Sequence, residues 1–301
     1  MADTTRGRRL DQVIVGEEES GERLDRLLSR RLGISRAQAQ SLLSRGAVRI
    51  GGVVPSRSRR AKFGEVADVC WDGPGIIPTP APITILHQDD DLVVVDKPRG
   101  IPVHPAGHAP QVTVVSILLA RGPLAPGAPS RPGVVHRLDA ATTGVLVLAK
   151  TQTALLGLVE QFRRRRVKKE YLALVRGVVE VDEGEIDGRV GRDASRPWQM
   201  RSGTGKDAQT EFSVLRRGEG VTLLLVRPHT GRTHQIRVHL SAIGHPVVGD
   251  PLYGGGEGAL LLHAWRLGFH HPVTGAWGEY EAPSPPELAS WIGARGSTSL
   301  R

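Results

Sequence analysis

A chain of 301 residues that is 39% hydrophobic has the material for one large domain or two modest ones with a buried core, which excludes a disordered or low-complexity polymer. Its formal net charge of +9, from 40 Lys+Arg against 31 Asp+Glu, favours a polyanionic partner, because neutralised phosphates supply much of nucleic-acid affinity, but does not separate RNA from DNA. One cysteine, Cys70, excludes an intrachain disulfide and a thiolate metal cluster and suits a reducing, cytoplasmic setting; no apolar run nears the ~20 residues of a membrane span, and the opening MADTTRGRRLDQV offers no signal-peptide core.

Residues 1–19 form a polar N-terminal segment: Met1 to about Leu10 is expected to fray, with Val13–Val15 as a first short strand before the acidic run Glu17–Glu19. Leu24, Leu27, Leu28 and Leu32 then recur at helical spacing up to a stop at Gly33. Ser35 is placed to cap a second helix, whose Leu42 and Leu43 face inward before Gly46. Val48–Ile50, the Gly51-Gly52 turn and Val53-Val54 read as a β-hairpin, which closes a domain over 20–71. Between Ser20 and Lys62 eleven basic residues face only Glu22 and Asp25, so Arg23, Arg36, Arg45, Arg57, Arg59, Arg60 and Lys62 are candidate phosphate contacts.

DGPGIIPTPAP, residues 72–82, carries four prolines that deny regular helix, and it reads as an extended linker. A second domain follows over 83–291, with a tail over 292–301. Strand-like runs at Ile83–Leu86, Leu92–Val95, Val145–Leu148, Tyr171–Val175, Glu211–Leu215 and Val221–Val226 alternate irregularly with a few helices, the pattern of an α+β domain. One helix is expected over Thr153–Arg165, with Leu155, Leu158, Val159 and Phe162 on its buried stripe. Another is expected over Thr233–Ile243, with His234, Arg237 and Ser241 on a polar face opposite Ile236, Leu240 and Ile243.

Three strings in this second domain carry chemistry. HRLDAATTG, His136–Gly144, sets Asp139 beside Arg137 and His136 between aliphatic runs, so the acid falls on a turn held by buried strands. PHTGRTHQIRVHL, Pro228–Leu240, supplies Arg232 and Arg237, and KKEYLALVRG, Lys168–Gly177, supplies Tyr171 behind a basic run that starts at Arg163. That run divides evenly between a solvated helix end and an RNA contact. Eleven histidines invite a metal, yet His104 and His108 lie in a Pro/Gly-rich loop, and His270 and His271 lack a carboxylate or thiolate nearby in sequence, so no metal is expected.

Together with ILHQDDDLVVVDKPRGIPVHP before them and GKDAQTEFSVL, GHPVVGDPLYG and LLLHAWRLGFHHP after, these strings strongly resemble the RluA-type pseudouridine synthases over about Ile83–Pro283. The pattern differs at Thr143, where the family usually has Ser, and at His87 and Gln88, where it has an aromatic and an acid. The first domain is similar to the αL RNA-binding motif of ribosomal proteins, which places the chain nearest the RluD/RluC-like, large-subunit rRNA branch. The resemblance implies a mixed, mostly antiparallel sheet with flanking helices and RNA as partner; the isomerisation leaves composition unchanged, so no cofactor is expected, and a monomer is the default. The resemblance also implies Asp139 as the catalytic carboxylate, Arg237 as its ion-pair partner, Tyr171 packed on the uracil and helping to remove the C5 proton, and Leu262 as an apolar wall. His136, Arg137 and Arg232 would bind substrate, Arg137 filling the space left by an extruded base. Asp139 is either a nucleophile on the sugar carbon or a base toward the neighbouring sugar proton. The rival functions are a tRNA pseudouridine synthase, a non-catalytic RNA-binding or ribosome-assembly factor, and a glycosidase, which usually calls on two carboxylates.

Overall fold

A computed structural model of the chain describes residues 9–32, 36–71, 76–105, 112–126, 131–196 and 198–292. Contacts divide it into two compact units, Met1–Ala81 with His104–Val134, and Pro82–Val103 with Val135–Arg301. His104–Val134 thus groups with the N-terminal residues, a division that a contiguous domain over 83–291 does not contain. It meets the proline-rich stretch through a backbone hydrogen bond at 2.9 Å, donated by the Thr79 amide to the Ser116 carbonyl, and through Arg121 Nη2, which donates to the Ala81 carbonyl at 3.4 Å.

In the first unit, strands β1 (Arg9–Ile14), β2 (Val48–Ile50) and β3 (Val66–Trp71) form an antiparallel sheet in the order β1-β3-β2, with helices α1 (Leu24–Arg31) and α2 (Arg36–Ser44). Leu24, Leu27, Leu28, Leu42 and Leu43 pack with Val13, Val48 and Val69, so the leucine spacing finds the core. Two expectations are corrected. Arg9 and Leu10 do not fray but pair with Trp71 and Cys70, a partner about sixty residues away in sequence that no local pattern signals. Val53-Val54 is not the hairpin partner of β2: the two share only the bridge Ile50↔Val53, while β2 pairs along its length with β3. The reason is burial, since Val53 and Val54 stay exposed whereas β3 turns Ala67 and Val69 into the core. Gly33 and Ser35 lie outside the described residues. Helix α3 (Val114–Leu119), not anticipated, is opened by a reciprocal cap between Thr113 and Ser116.

The second unit is built on a ten-stranded sheet. Its strands are β4 (Thr84–Gln88), β5 (Leu92–Lys97), β6 (Thr143–Ala149), β7 (Lys168–Arg176), β8 (Glu183–Arg192), β9 (Met200–Ser202), β10 (Lys206–Gly218), β11 (Val221–Pro228), β12 (Leu262–His270) and β13 (Trp277–Glu281). They run in the order β4-β5-β6-β12-β7-β11-β10-β8-β9, with β13 on β12, and every pairing is antiparallel except β6 with β12. This is a mixed, mostly antiparallel α+β domain. Helices α4 (Gln152–Arg163), α5 (Gln235–Ala242) and α6 (Pro286–Ile292) complete it.

The period-two pattern of β7 assigns the two faces. Tyr171, Ala173 and Val175 pack with Ile236 and Leu240 of α5, and Leu172 and Leu174 pack on the other side with Leu288 and Trp291 of α6. Helix α4 begins at Gln152 because Thr151 caps it, accepting the Ala154 amide, and it buries Ala154, Leu155 and Leu158. Val159, expected on the buried stripe, is exposed, because the core-facing arc is turned toward Ala154. Helix α5 starts two residues later than the spacing suggests, since His234 is left-handed (φ 55°), and Ile243 at its end is exposed rather than buried.

Gly144, the last residue of HRLDAATTG, makes the parallel junction possible. Its φ is +110°, and a Cβ there would stand 2.1 Å from the Ala264 carbonyl oxygen, across the register pair Gly144↔Ala264. Gly144→Ala is therefore expected to lower unfolding free energy by about 2–5 kcal/mol, whereas Gly231→Ala, with open space around it, should stay within about 0.5 kcal/mol. Urea denaturation of both variants checks this, and equal midpoints would show that the junction tolerates a side chain.

Candidate active site

The segment from His136 to Thr142 leads into β6 and is pinned at both ends. At its start, His136 Nε2 accepts the Val147 amide proton at 3.1 Å and the ring stacks on Phe162 of α4, centroids 4.6 Å apart. Burial, and then the charge of Lys169, push the imidazole down to about 3, so His136 is a neutral anchor. At its end stands Lys97, the fully buried last residue of β5, whose ammonium donates to the carbonyls of Pro98, Ile101 and Ala140 at 2.8, 2.8 and 3.0 Å. The Gly100 amide reaches the same Ala140 carbonyl at 2.8 Å. Burial brings Lys97 down to about 8, and its three acceptors replace the lost hydration.

Asp139 lies between these anchors with its side chain 17% exposed. The Arg237 Nη1 donates to its Oδ2 at 3.2 Å, while Nε and Nη2 of the same guanidinium clasp Asp250 at 2.7 and 2.8 Å. Arg237 and Asp250 are both buried. The polar face predicted for this helix grips one residue at three points. His234 Nδ1 lies 2.8 Å from the Tyr253 hydroxyl, the Arg237 guanidinium sits 5.1 Å over the Tyr253 ring, and Ser241 donates to the Tyr253 carbonyl at 2.8 Å.

A cavity of about 470 Å³ opens over Asp139. All seven residues singled out as catalytic or substrate-binding line it: Asp139, Tyr171, Arg237, His136, Arg137, Leu262 and Arg232. Tyr171 enters from the α5 side of β7, and burial, then the charge of Asp139, raise its phenol above the ordinary value, so it stands protonated beside the carboxylate. Arg232 is tethered through Nε to the Asp207 carbonyl at 3.1 Å. Arg137 stands exposed at the rim.

A model of the RNA pseudouridylate synthase family matches residues 91–242. An uncharacterized RNA pseudouridine synthase of Aquifex aeolicus is 40% identical, the alignment covering 94% of this chain and 96% of that one. The chain belongs to the RNA pseudouridylate synthase family. Ribosomal large subunit pseudouridine synthase D of Nitrosomonas europaea is 36% identical over 94% of this chain and 87% of its own length. Among solved structures, human RNA Pseudouridylate Synthase Domain Containing 1 superposes with a TM-score of 0.57 at 31% identity, covering 70% of this chain and 89% of that one. This pseudouridine synthase is thus an isomerase acting on RNA, with the family's fold.

Several residues that brace the synthase's site from behind its lining were not singled out in advance. Asp250 and Tyr253 stood within the GDPLYG string and Lys97 within DKP, but only tertiary contacts reveal their partners. The basic run sorts by partner: Arg163 and Arg164 pair with Glu160, and Lys168 with Glu279, whereas Arg165 and Lys169 line the cavity with no carboxylate partner among the described residues. In the first unit, Arg23 and Arg36 bind the buried Asp25 at 3.0 and 2.8 Å, and Arg59 binds Glu65, so these three arginines hold internal carboxylates, while Arg45, Arg57, Arg60 and Lys62 are exposed. Asp89, Asp91 and His271 are grouped closely enough to hold a cation. Their atoms are already engaged, Asp89 with His87, His271 and two backbone amides, Asp91 with Thr151, and His271 Nδ1 with the Val273 and Thr274 amides. No helix among the described residues is long and apolar enough to cross a membrane.

Removing one charge from the buried pair tests the brace. Asp250→Asn is expected to lower unfolding free energy by about 3–5 kcal/mol and to depress turnover although Asp139 is intact. Calorimetry and a pseudouridine assay on the same preparation check both, and wild-type turnover in Asp250→Asn would show that Arg237 needs no second acid.

Proposed function

We propose that this pseudouridine synthase isomerises specific uridines of large-subunit ribosomal RNA, with Asp139 as the reacting carboxylate and the target nucleoside turned out of its stack into the cavity. The observation that carries the reading is the ionic geometry at Asp139. Arg237 at 3.2 Å and His234 at 3.8 Å both approach Oδ2, which supports Oδ1 as the oxygen that meets the nucleoside. The large-subunit substrate is supported by relatives named ribosomal large subunit pseudouridine synthase D in Nitrosomonas europaea, Vibrio vulnificus and Haemophilus ducreyi, 34% to 36% identical over 91% to 94% of this chain. With ribosomal RNA as substrate the work falls in the cytoplasm, and we take the working species to be a monomer.

The reaction breaks the N1–C1′ bond, rotates the uracil, forms C5–C1′ and moves the C5 proton away while N1 regains one, so composition is unchanged and no oxidant enters. An ionised Asp139 serves either as nucleophile at C1′ or as base toward the C2′ proton. Tyr171 and Leu262 bound the base. The raised phenol of Tyr171 suits ring contact and hydrogen bonding rather than service as a free base for C5, which narrows the role that resemblance alone implied. Asp250 is a second carboxylate near the site, but its clasp on Arg237 withholds it from the paired-acid chemistry of a glycosidase.

Mapping pseudouridines in cellular RNA with and without the chain tests substrate and reaction together: loss of a large-subunit site supports the proposal, a lost tRNA site redirects it, and an unchanged map favours an assembly factor. Asp139→Asn should abolish pseudouridine formation while RNA affinity stays within about 2-fold and folding persists; full activity there would remove the mechanism.

Arg165 and Lys169 are assigned to the phosphodiester beside the extruded nucleoside. Burial, then the neighbouring Arg165, lower Lys169 to about 8, and among the described residues its amine donates only to the Thr230 carbonyl at 3.1 Å, which supports an anion as its further partner. Lys169→Met should weaken RNA binding about 5–10-fold at low salt and reduce the slope of log affinity against log salt by about 1. An unaltered slope in filter-binding titrations would send Lys169 back to a structural role.

A further inference from the structure

One polar side chain at the cavity has no task in the reaction described so far. His234 opens α5 in the left-handed region, φ 55° and ψ 17°, with no side-chain capping bond to explain its place. For a residue with a Cβ that conformation costs about 1–2 kcal/mol, so the surroundings hold it there. They do so through the ring. Nδ1 is 2.8 Å from the Tyr253 hydroxyl, the two rings meet edge-on at 5.7 Å, and Nε2 is 3.8 Å from Asp139 Oδ2.

The direction of these hydrogen bonds follows from one backbone amide. The Met200 N–H donates to the Tyr253 hydroxyl oxygen at 2.9 Å. A phenol that already accepts there has one proton to give, and its acceptor among the described contacts is His234 Nδ1. With Nδ1 receiving a proton it cannot also carry one in the neutral ring, so the ring proton resides on Nε2, the nitrogen that faces Asp139. The charged groups around the ring are Asp139, Arg237, Asp250 and Arg137, and burial outweighs them in lowering His234 from its ordinary value, which keeps the ring neutral near pH 7.

We propose that His234 is a positioning residue for the isomerisation: the chain Met200 N–H, Tyr253 O–H, His234 locks its Nε2–H tautomer, and that N–H joins Arg237 on Oδ2 so that Oδ1 alone is left to meet the ribose. The inference rests on Asp139 as the reacting carboxylate. Neutrality matters, because an imidazolium beside Arg237 would put a second full positive charge on the same oxygen and weaken the carboxylate as nucleophile or base. At 3.8 Å the contact is longer than a hydrogen bond and tightens as the nucleoside displaces water, in the manner of catalytic contacts that are long in free enzymes.

The tautomer is directly observable. In ¹⁵N-labelled protein at pH 7, the His234 ring nitrogens should show Nδ1 bare and Nε2 protonated, and Tyr253→Phe should abolish that preference. Kinetics then tests the consequence, with total RNA from cells lacking the chain as substrate under single-turnover conditions. His234→Leu is expected to slow the chemical step about 100-fold with RNA affinity within about 2-fold, and His234→Gln, whose amide nitrogen can stand where Nε2 stood, to restore at least about 10-fold of it. Tyr253→Phe, which retains the ring under Arg237, should slow the step about 10-fold. A protonated Nδ1 or an imidazolium at pH 7 overturns the proposal, as does a wild-type rate in His234→Leu. Activity in Asp139→Asn would instead sink the carboxylate assignment, whatever the tautomer.

Discussion

A single buried guanidinium between two carboxylates organises the catalytic unit. Arg237 presents two nitrogens to Asp250 and a third to Asp139, so its planar fork is fully directed and cannot swing. The doubly bonded clasp on Asp250 offsets the cost of taking the guanidinium out of water; the single longer bond to Asp139 leaves that carboxylate available. Lysine has no such geometry, since a point charge cannot hold one acid rigidly while offering a separate donor to another. The arrangement demands much of the backbone. The turn that carries Asp250 requires glycine at 249 and 255, where a Cβ would lie 2.0 Å from the Ala259 carbonyl oxygen and 1.7 Å from that of Val247. Helix α5 must in turn be seated, which Ile236 and Leu240 accomplish against Ala173, Val175, Leu224 and Val226.

Asp139, the carboxylate proposed to react, depends equally on its own segment, which is irregular backbone yet is held from three directions. Lys97 fixes the Ala140 carbonyl, His136 fixes the entry through the Val147 amide, and Gly144 lets β12 close against β6 directly behind. Each anchor attaches the loop to a central strand of the sheet rather than to another loop, the condition for holding a reactive atom within a fraction of an ångström. Two of the three are ionisable side chains that burial shifts downward: His136, at about 3, acts as a neutral ring, while Lys97, at about 8, is still an ammonium near pH 7 whose three protons all go to backbone carbonyls.

What was legible in the sequence, and what was not, divides by the range of the interaction. β5, β6, β7 and β11 were readable because both faces of those strands are buried and the aliphatic runs are continuous, and α5 because its polar and apolar positions separate at 3.6 spacing. β8 was not, since EGEIDGRVGR alternates half-exposed positions with charge and glycine and has its partner twenty residues ahead in β10. The first two residues of β1, Arg9 and Leu10, were misread as fraying for the same reason. In the site, Asp139, Tyr171 and Arg237 came from motif resemblance, and their convergence on one cavity is a fact of topology. Asp250 escaped because an aspartate in a glycine-rich turn looks like turn chemistry until Arg237, one helix away, is seen to need it. The basic run could be divided only by finding which of its members already had a carboxylate.

The reaction proposed for this site sets a limit on where selectivity resides. Extracting a uridine from a stack costs a few kcal/mol, and packing its base on an aromatic returns about 1–3 kcal/mol, so the cavity itself is close to neutral in binding. The side chains that line it can recognise a uracil, a ribose and a phosphate, and these are common to every uridine. Discrimination among uridines must then come from contacts that only the correct RNA shape completes. The exposed cations away from the cavity are candidates for it, Arg45, Arg57, Arg60 and Lys62 in the first unit, whereas Arg23, Arg36 and Arg59 already hold carboxylates of their own. On the proposed reading, such an enzyme would keep its chemistry constant while its target follows the surface, since substitutions among those exposed cations would alter which RNA is held without disturbing the guanidinium that holds Asp139.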